Sequence, residues 1–192
     1  MNKLLKKVIV ADIFGVTPAL TTLGSAVNAD IIVDPYEGEQ LAFENETQAY
    51  HYFTNQVGLD AYVSKLSKVM QACADNVSLI GFSVGAAAIW KLSESTNVEI
   101  TKRVKCAICF YGSQIRHLTT FSPRFDIQLI FPKSEAHFDV QALTELLANK
   151  NRVTAVQIDF LHGFMNSHSN NFNQAGYTKH VELLRQDIIS SC

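Results

Sequence analysis

Short apolar runs alternate with helix-forming stretches along almost the whole chain. The runs are rich in Val, Ile, Leu and Phe, which is typical of strands buried on both faces of a mostly parallel sheet. They occupy residues 8–11, 31–33, 77–82, 104–110, 127–131 and 153–158. The helix-like stretches occupy residues 18–27, 60–74, 84–92, 140–149 and 177–190. This alternation predicts an α/β fold in which helices cover both faces of a central sheet.

The composition predicts a single domain over residues 1–192 that acts on small molecules. A chain of 192 residues with 47% hydrophobic content can bury about 70% of its unfolded surface in one core. The 16 basic and 18 acidic residues give a net charge of -2, which favours neither nucleic acid nor an anionic membrane surface as a partner. The oligomeric state does not follow from the sequence.

The amino terminus and the cysteines predict a cytoplasmic protein. Lysines followed by apolar residues, with a small-residue segment at 26–29, resemble a secretory signal, but Asp12 interrupts the apolar part and residues 8–11 serve as the first strand. The four cysteines show no disulfide-scaffold spacing. Cys106 and Cys109 form a C-x-x-C sequence within an apolar run, where they would face opposite sides of a strand, so we predict buried cysteines and not a metal or redox pair.

A Gly-x-Ser-x-Gly sequence at residues 81–85 connects the third apolar run to helix-forming alanines. A serine at such a strand-to-helix turn holds its hydroxyl above the sheet, and the glycines allow the strand and the helix to approach closely. The pattern therefore predicts a nucleophile elbow with Ser83 as the nucleophile.

Polar residues directly after strands indicate the partners of this serine, because ligands of open α/β sheets bind at the carboxyl ends of the strands. Glu135 follows the fifth run and His162 follows the last. The order serine, acid, histidine is that of an α/β-hydrolase sheet. We predict that His162 accepts the Ser83 proton and that Glu135 orients the imidazole, with Asp139 as the second candidate for the acid.

The tetrahedral intermediate of such a reaction requires two backbone N–H donors. Val84, the residue after the nucleophile, is one candidate. Ile13, in the loop after the first strand, is the other, and Gly15 permits the turn of that loop.

The other histidines have different predicted places. We expect His51, His117 and His180 at the surface and His137 near the acid, where it could line the pocket. A metal site formed by His162 and His168 is an alternative, but the loop between them offers Asn and Ser and no further Cys, Asp or Glu ligand. We therefore predict no metal.

In a set of short motifs, the chain resembles the dienelactone hydrolase family of α/β hydrolases. The motifs are Asp12-Ile13-Phe14-Gly15-Val16, Asp34-Pro35-Tyr36, Gly81-Phe82-Ser83-Val84-Gly85, Phe110-Tyr111-Gly112, Lys133-Ser134-Glu135 with His137-Phe138, and His162-Gly163-Phe164. The resemblance implies hydrolysis of a small ester or lactone through an acyl-enzyme intermediate, without a cofactor. It also places Asp12, Phe14, Tyr111, His137 and Phe164 in the substrate pocket.

Three positions depart from the family pattern. Ser83 stands where the type enzyme has cysteine, and Asp12 stands where it has glutamate. Met165 followed by Asn166 occupies the place where the family's lactone hydrolase has an arginine that holds the substrate carboxylate. Dienelactone itself is therefore not the expected substrate.

The segment from residue 37 to residue 57 is polar and aromatic and admits two interpretations. It is either a helical connection with its aromatic residues Tyr50, Tyr52 and Phe53 in the core, or a small flap over the site. In both cases the lid is reduced and the site open. The short loops also suggest an alternative function, a catalytically inactive α/β-hydrolase-fold binding protein, in which Ser83, Glu135 and His162 would lie beyond hydrogen-bond reach.

Overall fold

The computed structural model describes residues 5–185, which form a six-stranded sheet in the order β2-β1-β3-β4-β5-β6. The strands are β1 Lys6–Val10, β2 Ile31–Val33, β3 Val77–Phe82, β4 Val104–Phe110, β5 Asp126–Phe131 and β6 Val153–Gln157. All five strand pairings are parallel. The predicted α/β architecture is confirmed, and the carboxyl ends of all six strands meet at one edge of the sheet.

Seven α-helices connect and flank the strands within the described residues. They are α1 Pro18–Ala26, α2 Glu46–Tyr52, α3 Gly58–Ala72, α4 Val84–Leu92, α5 Val98–Arg103, α6 Val140–Ala148 and α7 Gln174–Arg185. A π-helical turn, Phe53–Val57, joins α2 to α3, and a 3-10 helix, Ser113–His117, follows β4. Residues 186–190 of the last predicted helix lie outside the described residues. The sequence patterns did not predict α5 or the 3-10 helix, because each is too short to show an apolar period.

The core consists of two apolar layers, one on each face of the sheet. On one face, Tyr62, Leu66 and Trp90 of α3 and α4 are buried in one cluster with strand residues such as Leu79. On the other face, a second cluster joins residues of α1 and α7, such as Leu184, to the alternate strand residues. The predicted placement of helices on both faces is therefore confirmed.

The alternation of the strand side chains confirms one local prediction and corrects another. Cys106 and Cys109 are buried in the two opposite clusters, as the spacing predicted. The prediction that every strand is buried on both faces is wrong for β6, where Thr154, Val156 and Gln157 are exposed. β6 is the last strand in the sheet order and pairs with β5, so it is an edge strand that neighbours cover less completely.

No helix among residues 5–185 is both long enough and apolar enough to cross a lipid bilayer.

Candidate active site

Ser83 occupies the sharp turn between β3 and α4. Its backbone has φ 50° and ψ -114°, a conformation that L-residues rarely adopt outside strained functional turns. Both flanking glycines are needed because the structure leaves no room for a Cβ at either position. A Cβ on Gly85 would collide with the backbone carbonyl oxygens of Val10 and Ala11, and one on Gly81 would lie 2.8 Å from the Cα of Ala86. The close approach of α4 to β1 and β3 therefore sets the shape of the turn.

The three side chains of the predicted catalytic constellation lie in hydrogen-bond contact. The Oγ of Ser83 lies 3.1 Å from Nε2 of His162, and Nδ1 of His162 lies 2.7 Å from Oε1 of Glu135. The His162 and Glu135 side chains are 22% and 16% exposed. The arrangement lets a neutral imidazole accept a proton from Ser83 while Nδ1–H donates to the carboxylate.

The environment of Glu135 keeps its carboxylate ionised. Partial burial raises the pKa of this group, but the hydrogen bonds from His162 and Ser113 and the positive charge of Arg116 outweigh burial, so the pKa lies below its ordinary value. Asp139, the alternative acid, is exposed and serves another purpose: its Oδ1 accepts the N–H of Ala142, 3.0 Å away, and caps the start of α6.

The two predicted oxyanion donors line the same cleft as Ser83. Val84 begins α4, and Ile13 lies in the loop after β1. The Ile13 carbonyl accepts a 2.6 Å hydrogen bond from the hydroxyl of Tyr36, which ties this loop to the loop after β2. Gly15 has φ 68° and completes the turn.

An open cleft of about 530 Å³ leads to the Ser83 hydroxyl. One of its walls is α2, which contributes Glu46, Thr47 and Tyr50. The segment between residues 37 and 57 thus combines parts of both interpretations: α2 is helical and borders the site, and Phe53 is buried in the core. The prediction that its aromatic residues lie in the core is wrong for Tyr50 and Tyr52, which are 47% and 39% exposed, because α2 lies at the surface beside the cleft. Arg116, His137 and Phe138 also line the cleft.

The five residues that the resemblance assigns to the pocket separate into three groups. His137 lines the open cleft. Asp12, Phe14 and Tyr111 border a small cavity of about 10 Å³ that also touches Ser83 and His162, and the rings of Tyr111 and His162 lie 4.9 Å apart. Phe164 does not line this cleft or this cavity. It is 1% exposed, because the turn at Gly163, with φ 84°, directs the chain back into the core.

His180 is the one histidine whose predicted surface position is wrong, since His51 and His117 are exposed. His180 is 4% exposed and packs edge-on against Phe164 and Phe110. Its Nδ1 lies 2.7 Å from the Gly176 carbonyl oxygen. His180 lies on the buried face of the amphipathic helix α7, and burial lowers its pKa.

His168, the second histidine of the alternative metal site, is exposed and stacks on Phe14 at 5.9 Å. Within residues 5–185, no three His, Cys, Asp or Glu side chains are grouped closely enough to hold a metal ion.

Ser113 is a site residue that the sequence reasoning missed. Its hydroxyl donates a hydrogen bond to Oε1 of Glu135, and its Oγ lies 3.1 Å from Nδ1 of His162. Ser113 comes shortly after β4, so the rule that marks polar residues at the carboxyl ends of strands would have found it.

A comparison of sequences identifies a relative of this chain. The chain is 30% identical over 182 residues to the uncharacterised protein YczH of Bacillus subtilis, covering 91% of this chain and 87% of YczH. No family model matches the chain.

Three solved structures share its fold at low sequence identity. A dienelactone hydrolase-like promiscuous phosphotriesterase from metagenomic libraries has a TM-score of 0.64 at 10% identity, over 95% of this chain and 86% of that one. Dienelactone hydrolase from Anabaena variabilis has a TM-score of 0.64 at 13% identity, over 98% of this chain and 88% of that one. Est1E from Butyrivibrio proteoclasticus has a TM-score of 0.64 at 8% identity, over 99% of this chain and 89% of that one. The resemblance to dienelactone hydrolase-like proteins is confirmed at the level of the fold.

Proposed function

The chain belongs to the family of Bacillus subtilis YczH and has the α/β-hydrolase fold, and on this premise we propose that it is a serine hydrolase of small esters or lactones. Ser83 is the nucleophile, His162 the general base and acid, and Glu135 the residue that orients His162. The observation that carries the proposal is the continuous hydrogen-bonded series from Ser83 Oγ through His162 to Glu135 Oε1.

The proposed reaction proceeds in two steps through an acyl-enzyme. His162 Nε2 removes the hydroxyl proton as Ser83 Oγ attacks the carbonyl carbon, and the N–H groups of Ile13 and Val84 stabilise the resulting oxyanion. The protonated imidazole then donates its proton to the leaving alkoxide, and the ester becomes an acyl group on Ser83. His162 then deprotonates a water molecule that attacks the acyl carbon, the bond from this carbon to Ser83 Oγ breaks, and the imidazolium returns its proton to Oγ as the acid leaves.

The geometry also favours catalysis over the inactive alternative. An inactive binding protein predicts that Ser83, Glu135 and His162 lie apart, whereas their contacts measure 3.1 and 2.7 Å. The strained backbone of Ser83 supports the same conclusion, because such strain persists mainly where function requires it.

The cleft supports a small or flexible substrate. It is open to solvent, and α2 forms part of its wall. Asn166, and not an arginine, follows Met165 after His162. For this reason we propose simple esters or lactones without a required carboxylate, and not dienelactone itself.

The test is covalent labelling with a fluorophosphonate probe followed by intact-mass measurement. The wild-type protein should gain one adduct, Ser83→Ala should gain none, and Ser64→Ala, which removes an exposed hydroxyl on α3, should label like the wild type. Absence of an adduct, or an adduct that persists in Ser83→Ala, would refute the assignment. Rates with p-nitrophenyl esters of increasing chain length, beside several lactones, would then identify the preferred acyl group.

A further inference from the structure

The Ser113 hydroxyl contacts both the imidazole of His162 and the carboxylate of Glu135, which also contact each other directly. It donates to Oε1 of Glu135, the same oxygen that lies 2.7 Å from Nδ1 of His162. Ser113 Oγ is also 3.1 Å from that Nδ1. The three polar atoms thus form a closed triangle on the side of the imidazole that faces away from Ser83.

The positions of the protons in this triangle select one tautomer of His162. The hydroxyl of Ser113 has one proton, which it donates to the ionised carboxylate, so the side of Oγ that faces His162 carries lone pairs. Both Oγ and Oε1 therefore present acceptors to Nδ1, and only a protonated Nδ1 satisfies them. Nε2 is then left with its lone pair directed at Ser83, as a general base requires.

The position of Ser113 is itself secured by Arg116. Ser113 begins the 3-10 helix after β4, and Nη1 of Arg116 donates a 2.7 Å hydrogen bond to the Ser113 carbonyl oxygen. The Arg116 guanidinium lies 5.2 Å from the centroid of the Phe138 ring. Phe138 belongs to the same loop as Glu135. Arg116 thereby connects the loop after β4 with the loop after β5.

We infer that Ser113 is a positioning residue of this site, which holds the Glu135 carboxylate against His162 and maintains the Nδ1–H tautomer. The inference rests on the proposed function. A glutamate side chain has one more rotatable bond than an aspartate side chain. The hydrogen bond from Ser113 to Oε1 therefore restricts the conformations that the Glu135 side chain could adopt with His162 as its one donor.

The experiment measures the rate constant of Ser83 phosphonylation by the fluorophosphonate, together with kcat and KM for a p-nitrophenyl ester. Ser113→Ala should lower the phosphonylation rate constant and kcat by about tenfold to a hundredfold, the usual effect of a lost hydrogen bond to a charged group, and change KM much less. Ser113→Thr keeps the hydroxyl and should recover most of the rate. Ser64→Ala, the matched control, should behave like the wild type.

A spectroscopic measurement separates positioning from a general structural effect. The proton on Nδ1 of His162, held by a carboxylate, should give a resolved downfield proton resonance in the wild type. Ser113→Ala should shift or broaden it while the melting temperature stays close to that of the wild type. If Ser113→Ala does not fold, Ser113→Cys, which keeps the size but donates weakly, takes its place and should show the same losses.

The outcomes distinguish the two proposals. If the wild-type protein does not react, or Ser83→Ala still reacts, the proposed function fails and the role of Ser113 falls with it. If labelling requires Ser83 but Ser113→Ala keeps the wild-type rate and resonance, the positioning role is overturned and the proposed function stands.

Discussion

The side-chain amide of Asn166 donates a 2.8 Å hydrogen bond to Oδ2 of Asp12 and joins the loop after β6 to the loop after β1. Oδ1 of Asp12 accepts the N–H of Phe14 at 2.9 Å. Burial raises the pKa of Asp12, although these two hydrogen bonds and the nearby His162 oppose the rise. The hydrogen bond from Asn166 thus helps to hold the loop that carries Ile13.

This contact predicts a pH-dependent effect of Asn166→Asp. Two carboxylates in contact cannot both ionise without mutual repulsion, so one folded-state pKa rises above its unfolded value of about 3.9. The stability deficit relative to the wild type should be small near pH 4 and should grow to about 1–3 kcal/mol by pH 8. Thermal unfolding at pH 4, 6 and 8 measures it. Asn55→Asp adds the same charge at an exposed position and is the control. A deficit independent of pH would contradict the prediction.

Replacement of the two candidate acids should have very different effects on activity. Glu135→Gln removes the negative charge next to His162 and should lower kcat by about 10⁴-fold, as loss of the acid does in other triads. Asp139→Asn should leave kcat within about twofold, because Asn also caps helices. Steady-state ester hydrolysis provides the comparison. The reverse ranking would move the acid to Asp139.

The same aspartate provides a stability prediction that is independent of catalysis. Asp139→Ala removes the acceptor of the Ala142 N–H at the start of α6. We expect a loss of about 1 kcal/mol in unfolding free energy, measured by urea denaturation, with ester hydrolysis retained. A loss of hydrolysis without loss of stability would show that Asp139 acts in the site.

Gly85→Ala should destabilise the protein strongly. The added methyl group would collide with the carbonyl oxygens of Val10 and Ala11, and backbone atoms cannot move aside as a flexible side chain can. We expect a loss of about 3 kcal/mol in unfolding free energy. Gly24→Ala in α1 is the control, because its Cβ would lie 3.3 Å from the flexible end of Ile32 and alanine favours a helix. Equal stability of the two variants in urea denaturation would refute the steric argument.

His180 should make the folded protein less stable in mild acid. Burial lowers its folded-state pKa, so the unfolded chain, with a pKa of about 6.5, takes up a proton first as the pH falls. The contribution of the neutral imidazole is therefore complete above about pH 6.5 and declines below it. In urea denaturation, the free energy of unfolding should change less between pH 5 and pH 7.5 for His180→Phe than for the wild type. An unchanged pH dependence in the variant would contradict this role.

Local patterns determined the elements that position the site. The strands β2, β3 and β4 and the helix α4 have the bounds that the sequence predicted, because their apolar runs are bounded by polar residues or by the turn at Ser83. The edge position of β6 was not predicted, although Thr154 and Gln157 interrupt its apolar run and are among its exposed residues.

Local sequence patterns were sufficient to predict the α/β order of the chain and the turn that presents Ser83. They also placed Glu135 and His162 after strands, because the ends of parallel strands meet at one edge of a sheet. The contacts between distant residues follow only from the tertiary structure: Ser113 on Glu135, Asn166 on Asp12, and α2 along the cleft. These depend on side-chain directions and on loop packing, which no periodicity in the chain records.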